Sequence, residues 1–140
     1  MRNINFSLKQ VKIFKKYGII AVYLFGSQAE KKFIHPLSDI DIGIIFNDFS
    51  KIQKNITIVH KELSSLFLRK LKIQDEKNLD LVFLQETSYG LQYKTISEGK
   101  ILYCSDPIFM ANYRENVMKK YFDLKPIYNY FFQILLESVK

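Results

Sequence analysis

The chain has 140 residues, which fits one compact domain and leaves little room for two. Hydrophobic residues make up 48% and charged residues 25%, ordinary globular usage that excludes wholesale disorder. The net charge of +7 comes from lysines dispersed along the chain, so we expect a solvated surface and no direct nucleic-acid binding. No apolar run approaches the ~20 residues that cross a bilayer. A signal-peptide stretch is lacking at the N-terminus and Cys104 is the single cysteine, so we expect a cytoplasmic protein.

The first part of the chain predicts a helix followed by two short strands. Ser7 and Gln10 have the spacing of a capping box, and the helix that they begin is expected to end near Gly18. Apolar runs rich in β-branched residues then predict buried strands over residues 19–25 and 40–46.

The middle of the chain predicts two helices and two strands. A second capping-box spacing at Ser50 predicts the start of a long helix whose apolar stripe reaches Leu66. A strand is expected over residues 79–84, a weaker helix over 89–98 and a short strand over 101–103.

The last helix is expected to begin with Asp106 as its cap and Pro107 in its first turn, and Pro126 should kink or break it. Helices and strands alternate, with one helix between the first two strands. This order predicts an α/β or α+β domain with one small sheet. We expect residues 1–104 to form the core and residues 105–140 to form a C-terminal helical segment that packs on the core, on a partner, or on both.

Three aspartates lie in segments that are otherwise apolar: Asp39 and Asp41 at the start of one strand, and Asp80 in another. Side chains at positions i and i+2 of a strand project from the same face, so Asp39 and Asp41 repel each other unless a cation lies between them. Mg²⁺ is the natural candidate because it prefers oxygen ligands. If the two strands are neighbours, three carboxylates converge, enough for a two-metal phosphoryl-transfer site. An isolated aspartate at a strand end is more often a cap or turn residue.

Gly26 and Ser27 directly follow the first predicted strand. Glycine allows a sharp turn and the close approach of a ligand, and Ser27 would offer its hydroxyl and amide to a phosphate at the start of a helical turn. Gly-Ser alone indicates only a turn. A strand, Gly-Ser, eleven residues and then Asp-x-Asp in a second strand is a much more specific pattern.

Residues 24–44, LFGSQAEKKFIHPLSDIDIGI, resemble the signature of the DNA polymerase β-type nucleotidyltransferase superfamily. The short length and the segment YFDLKP at residues 121–126 are similar to minimal nucleotidyltransferase (MNT) antitoxins, the partners of HEPN-domain toxins. The resemblance implies a small mixed sheet flanked by helices, with a C-terminal helical extension. It also implies ATP as cosubstrate, two Mg²⁺ ions and transfer of AMP to a tyrosine of the toxin.

The resemblance also implies roles for individual residues. Asp39 and Asp41 would bind both metals, and Asp80 would bind the catalytic metal and help to deprotonate the attacking hydroxyl. The implied nucleotide-binding residues are Gly26, Ser27, Lys31 and Ser38.

One departure from the family pattern leaves a second function open. Gln28 and Glu30 stand where relatives often have arginines, which removes two strong phosphate donors. The alternative is therefore a weakened enzyme that neutralises its toxin by binding alone. An antibiotic-modifying enzyme would normally need more chain for its acceptor pocket. We expect His35 to be a solvent-facing loop residue and His60 to be structural.

Aromatic residues are concentrated near the C-terminus. Six of them lie within twelve residues: Tyr121, Phe122, Tyr128, Tyr130, Phe131 and Phe132. A terminal helix packed on its own domain explains about half of them. The other aromatic residues indicate a protein interface, because several exposed aromatic side chains on one surface usually mark a binding site for a partner.

Overall fold

Five helices and four strands make up the part of the chain that the computed structural model describes, residues 4–26 and 39–139. In chain order they are α1 (Leu8–Lys16), β1 (Ile19–Phe25), β2 (Ile40–Phe46), α2 (Phe49–Gln53), α3 (Ile56–Lys70), β3 (Leu79–Phe83), α4 (Tyr89–Glu98), β4 (Lys100–Cys104) and α5 (Pro107–Ser138). The predicted strands and the predicted α4 are therefore confirmed to within a residue. The polar loop with Pro36 and the helix of the predicted element order, both expected between β1 and β2, lie outside the described residues.

The four strands form one sheet in the order β3-β2-β1-β4. β1 is antiparallel to both β2 and β4, whereas β2 and β3 are parallel. Parallel neighbours need a crossover connection, and α2 and α3 supply it. The sheet is mixed and small, as expected.

Each face of the sheet carries its own hydrophobic cluster, because successive side chains of a strand point to opposite faces. The larger cluster lies under α1 and α3 and includes Phe14, Val22, Ile42, Ile44, Leu63 and Phe67. The smaller cluster lies under α4 and α5 and includes Ile20, Tyr23, Ile45, Ile96, Met110 and Val117. Burying a side chain of this size contributes about 1.5–3 kcal/mol, so helices fix the sheet from both sides.

The helix starts test the predicted caps. At α1 the capping box is confirmed: the Gln10 amide donates to the Ser7 hydroxyl at 3.2 Å, and the Ser7 amide donates to the Gln10 side chain at 2.8 Å. Asp106 caps α5, since its carboxylate accepts from the Phe109 amide at 3.0 Å, and Pro107 is the first helical residue.

The capping box predicted at Ser50 is wrong. The Ser50 hydroxyl donates to the Asp48 carboxylate at 2.5 Å, and α2 begins at Phe49 without a side-chain cap. The chain leaves the helix after Gln53, and the long helix starts only at Ile56. The apolar stripe is nevertheless buried, at Ile52, Val59, Leu63 and Leu66.

α5 is a single helix of 32 residues that continues through Pro126, so the predicted break is absent. Proline removes one helical amide and leaves the carbonyl four residues earlier, at Phe122, without its partner. Phe122 is exposed, and water can bond to that carbonyl. Among the described residues no helix combines the length and apolar composition that a membrane crossing requires.

Candidate functional site

The strand register places Asp41 at the meeting point of three strands. Asp41 pairs with Asp80 across the parallel β2–β3 ladder and with Phe25 across the antiparallel β1–β2 ladder. Adjacent strands lie about 4.8 Å apart, and paired residues project from the same face. The sequence left open whether the Asp80 strand neighbours the Asp41 strand, and the structure shows that it does.

All three aspartates belong to the face of the sheet that α4 covers. Ile40 and Ile42 point into the larger cluster under α1 and α3, so Asp39 and Asp41 alternate to the other face. Asp80 does the same, because its neighbour Leu81 is part of the larger cluster. The three carboxylates therefore share one corner of the sheet, which we call the carboxylate corner (Asp39, Asp41 and Asp80).

The three carboxylates influence one another electrostatically. Asp41 is half-buried, whereas Asp39 and Asp80 are exposed. Burial raises the pKa of Asp41 above its usual range, and repulsion by Asp80, a hydrogen bond with Asp80 and repulsion by Asp39 raise it further. Protein groups alone thus leave this corner too rich in negative charge, an arrangement that a cation would relieve.

The donor set fits Mg²⁺ in one specific way. Within residues 4–26 and 39–139, no three His, Cys, Asp or Glu side chains form a group that could hold a metal ion by themselves. Asp41 and Asp80 are partners in the parallel ladder, and the charges of Asp80 and Asp39 both act on Asp41. Mg²⁺ usually takes one or two carboxylates and completes its shell with waters and substrate phosphates. A pair of carboxylate oxygens open to a phosphate ligand meets that requirement.

The backbone of Gly26 lies directly against the carboxylate of Asp41. Its φ is +72°, a left-handed conformation that glycine adopts without strain. A Cβ atom at this position would lie 2.1 Å from Oδ2 of Asp41. Any side chain here would therefore displace the carboxylate, a reason for glycine that the sequence did not reveal.

The remaining predicted nucleotide ligands, Ser27, Lys31 and Ser38, lie outside the described residues. The same holds for Gln28, Glu30 and His35.

A cleft of about 480 Å³ opens beside Asp41. Its sheet side is formed by Phe25, Gly26 and Asp41, and its other wall is formed by α4 residues Leu91, Lys94, Thr95 and Glu98. Sequence reasoning missed this wall. The signal for it was the spacing of Leu91, Thr95 and Glu98 on one face of a predicted helix, but nothing local showed where that helix would pack.

His60 lies away from this corner and is structural, as expected. Its Nε2 donates to the Leu81 carbonyl at 2.9 Å, and its ring centroid is 5.4 Å from that of Phe83. These contacts fasten α3 to β3 on the face opposite the aspartates.

The polymerase beta nucleotidyltransferase family model matches residues 9–108, which include every described residue of the carboxylate corner. The chain belongs to this nucleotidyltransferase family. No curated protein matches its sequence significantly.

Solved structures of toxin–antitoxin complexes contain chains with a similar fold. A toxin–antitoxin crystal structure with AMP-PNP gives a TM-score of 0.67 at 21% identity, over 91% of this chain and 96% of that one. A structure of tri-AMPylated Shewanella oneidensis HEPN toxin in complex with MNT antitoxin gives 0.62 at 21% identity, over 91% and 93%. A mutant MntA–HpeT toxin–antitoxin gives 0.66 at 20% identity, over 91% and 96%. These matches establish a shared fold.

Proposed function

We propose that this nucleotidyltransferase is the antitoxin of a toxin–antitoxin pair and that it transfers AMP from ATP to a tyrosine of a HEPN-type toxin. The observation that carries the proposal is the register of Asp41 opposite Asp80, with Gly26 packed against the Asp41 carboxylate. Similar folds occur in a complex with AMP-PNP and in one with an AMPylated HEPN toxin, which supports the nucleotide and the acceptor.

Asp39, Asp41 and Asp80 are the proposed metal ligands and catalytic residues. When bound, Mg²⁺ supplies positive charge that stabilises the negative charge developing on the phosphates. Asp80 is the exposed ladder partner of Asp41 and accepts the proton of the attacking hydroxyl. The oxygen of that hydroxyl bonds to the α-phosphorus as the bond to pyrophosphate breaks. Gly26 presents backbone without a side chain to the phosphates.

Four residues are the proposed nucleotide ligands. They are Gly26, Ser27, Lys31 and Ser38. Gly26 is the one that the structure describes, and it lines the same cleft as Asp41. A hydroxyl, an amide or an ammonium group from residues 27–38 would complete a phosphate site, since these groups are the usual donors to phosphate.

The C-terminal half of α5, residues 122–138, is the proposed toxin-binding surface. Its large apolar side chains stand in solvent, and Tyr130, Phe131 and Phe132 are about three-fifths exposed. No residue of this half belongs to either hydrophobic cluster of the described chain. A stable interface buries ~1,200–2,000 Å² in total, and aromatic anchors commonly dominate its energy. We propose residues 1–104 as the catalytic core and residues 105–140 as the segment that joins core to partner.

The N-terminal half of α5 is held firmly against the helix that lines the cleft. Arg114 donates to the Ile96 carbonyl at 2.9 Å, and the Tyr113 hydroxyl donates to the Gln92 side chain at 2.5 Å. A toxin bound to residues 122–138 is therefore held at a fixed position relative to α4 and the carboxylates. Such positioning lowers the entropic cost of the transfer step.

Neutralisation by binding alone is the second candidate, favoured by Gln28 and Glu30 where relatives often carry arginine. Co-expression with the product of the neighbouring gene, followed by mass spectrometry of the purified complex, separates the two. We expect the toxin to carry AMP on tyrosine, and label from ATP to appear on it only when Mg²⁺ is present. An unmodified toxin in a stable complex would establish the binding-only function. Absence of any complex would contradict both.

A further inference from the structure

The α4 wall of the cleft carries one cation whose role the proposed function does not yet include. We propose that Lys94 binds the phosphate chain of the nucleoside triphosphate from the side opposite the carboxylates. This inference rests on the proposed function and assigns a further binding residue to the same site.

The position of Lys94 follows from how α4 is packed. Its neighbours Thr95 and Ile96 are 1% and 3% exposed, which anchors this part of the helix on the sheet. At the end of α4, a Cβ atom on Gly99 would lie 3.0 Å from the Leu24 carbonyl oxygen of β1, so the helix end sits directly against that strand. Lys94 is exposed and lines the cleft whose floor is Gly26 and Asp41. The helix therefore holds the lysine at a fixed place along the cleft rim.

The charges that line the cleft support a phosphate-binding role for Lys94. The other charged residues that line the cleft in the described part of the chain are Asp41 and Glu98, both acidic. A polyphosphate entering beside the aspartates would be repelled unless cations faced it. Lysine serves phosphate sites as a point charge on a flexible stem. Lys94 is the cation that the described lining provides.

A surface ion pair within α4 does not account for Lys94. Glu98 is four residues further along the helix, but a lysine that precedes a glutamate at this spacing has the less favourable orientation. Lys94 forms no ion pair with a carboxylate of residues 4–26 or 39–139. Its ammonium group is thus free of described protein carboxylates.

Calorimetry of the full chain with Mg²⁺ and AMP-PNP tests the inference without turnover. Lys94→Met keeps an unbranched side chain of nearly the same length and removes the charge, and Lys94→Arg keeps the charge. Lys12→Met is the matched control, because Lys12 is an exposed helical lysine on α1, on the opposite face of the sheet. We expect the Kd of AMP-PNP to rise roughly tenfold in Lys94→Met, since a charge-assisted phosphate contact has about that effect. It should rise less than threefold in Lys94→Arg and stay unchanged in Lys12→Met.

A transfer assay gives the second readout. The KM for ATP should rise in Lys94→Met, while the KM for the toxin stays unchanged. A wild-type Kd for AMP-PNP in Lys94→Met would overturn the role of Lys94 and leave the proposed function standing. An equal loss in Lys94→Arg and Lys94→Met would also overturn it, because charge would not be the cause. Failure of the wild-type chain to bind AMP-PNP would overturn both.

Discussion

The carboxylate corner and the C-terminal half of α5 depart from the usual distribution of side chains in opposite directions. At the corner, Asp41 is half-buried beside another carboxylate, where burial and repulsion penalise its charge. Along residues 122–138, aromatic and aliphatic side chains stand in water. One region concentrates negative charge at the edge of the sheet, and the other leaves apolar surface uncovered.

The two regions also differ in how the surrounding packing supports them. Asp41 is flanked in β2 by the fully buried Ile40 and Ile42, so packing of the opposite face keeps the strand in place. The exposed half of α5 has no such support of its own and depends on the half that precedes it, where Met110 and Val117 are buried. Changes at the corner should therefore affect chemistry and local stability. Changes in residues 122–138 should affect association and leave the domain folded.

The largest expected effect is on AMP transfer. Asp41→Asn and Asp39→Ala should each lower the transfer rate by several orders of magnitude, because a metal pair loses a carboxylate ligand. The measurement is transfer of label from ATP to the toxin, with toxin binding measured in parallel. Asp48→Asn is the control, since Asp48 is an aspartate just past the other end of β2 and its side chain caps no amide of α2. Undiminished transfer by Asp41→Asn would remove Asp41 from the catalytic site.

The second prediction concerns the exposed half of α5. Replacing Tyr130, Phe131 and Phe132 together by serine should weaken the toxin complex about 100-fold or more, because aromatic anchors often contribute 2 kcal/mol or more each. Size-exclusion chromatography and titration calorimetry measure the loss, and the melting temperature should stay near that of the wild type. Ile108→Ser is the control, an equally exposed apolar residue in the first turn of the same helix. Retained affinity in the triple variant would place the interface elsewhere.

A third prediction tests the contact between Gly26 and Asp41. Gly26→Ala should destabilise the fold by about 1–3 kcal/mol, because alanine is strained at positive φ and its Cβ would clash with Asp41 Oδ2. Gly90→Ala is the comparison, since a Cβ there meets nothing nearer than 3.8 Å and alanine favours a helix. Denaturant unfolding should show loss of stability in the first variant and a small gain in the second. Equal effects of the two substitutions would contradict both the strain at positive φ and the clash with Asp41.

The smallest expected effect is a pH dependence of stability. Because the pKa of Asp41 is raised in the folded state, the folded chain binds more protons than the unfolded chain between the ordinary value of 3.8 and the raised value. Ionisation of Asp41 therefore costs stability as the pH rises through that window, and the cost remains above it. Asp41→Asn lacks this cost, so its stability relative to the wild type should increase with pH when no Mg²⁺ is present. Unfolding in denaturant at a series of pH values measures the difference, and a difference independent of pH would contradict the prediction.

Local signals in the sequence were enough for most elements. The largely apolar segments at residues 19–25 and 40–46 are strands, because segments rich in β-branched residues suit a sheet covered on both faces. The caps at Ser7 and Asp106 begin helices, since both side chains satisfy nearby amides. The cap at Ser50 failed because α2 begins at Phe49 with Asp48 at the N-cap position, so Ser50 lies inside the helix.

Part of the candidate site could likewise be predicted from local sequence, and the rest depended on long-range contacts. The spacing of Asp39, Asp41 and Gly26 could be recognised along the chain, and the family match covers it. The pairing of Asp41 with Asp80 depended on strand order, and the approach of Lys94 depended on where α4 packs.

By itself, the sequence determined which segments become strands and helices and which residues provide the acidic side chains of the site. The spacing of apolar residues, the helix caps and the apolar runs that predict these elements each extend over only a few residues. Only the tertiary structure decided that Asp80 lies beside Asp41 and that α4 closes the cleft. It also showed that α5 continues through Pro126 into solvent. These features depend on contacts between residues that are far apart in the chain, or on what the end of a helix packs against. Local sequence patterns do not predict such contacts.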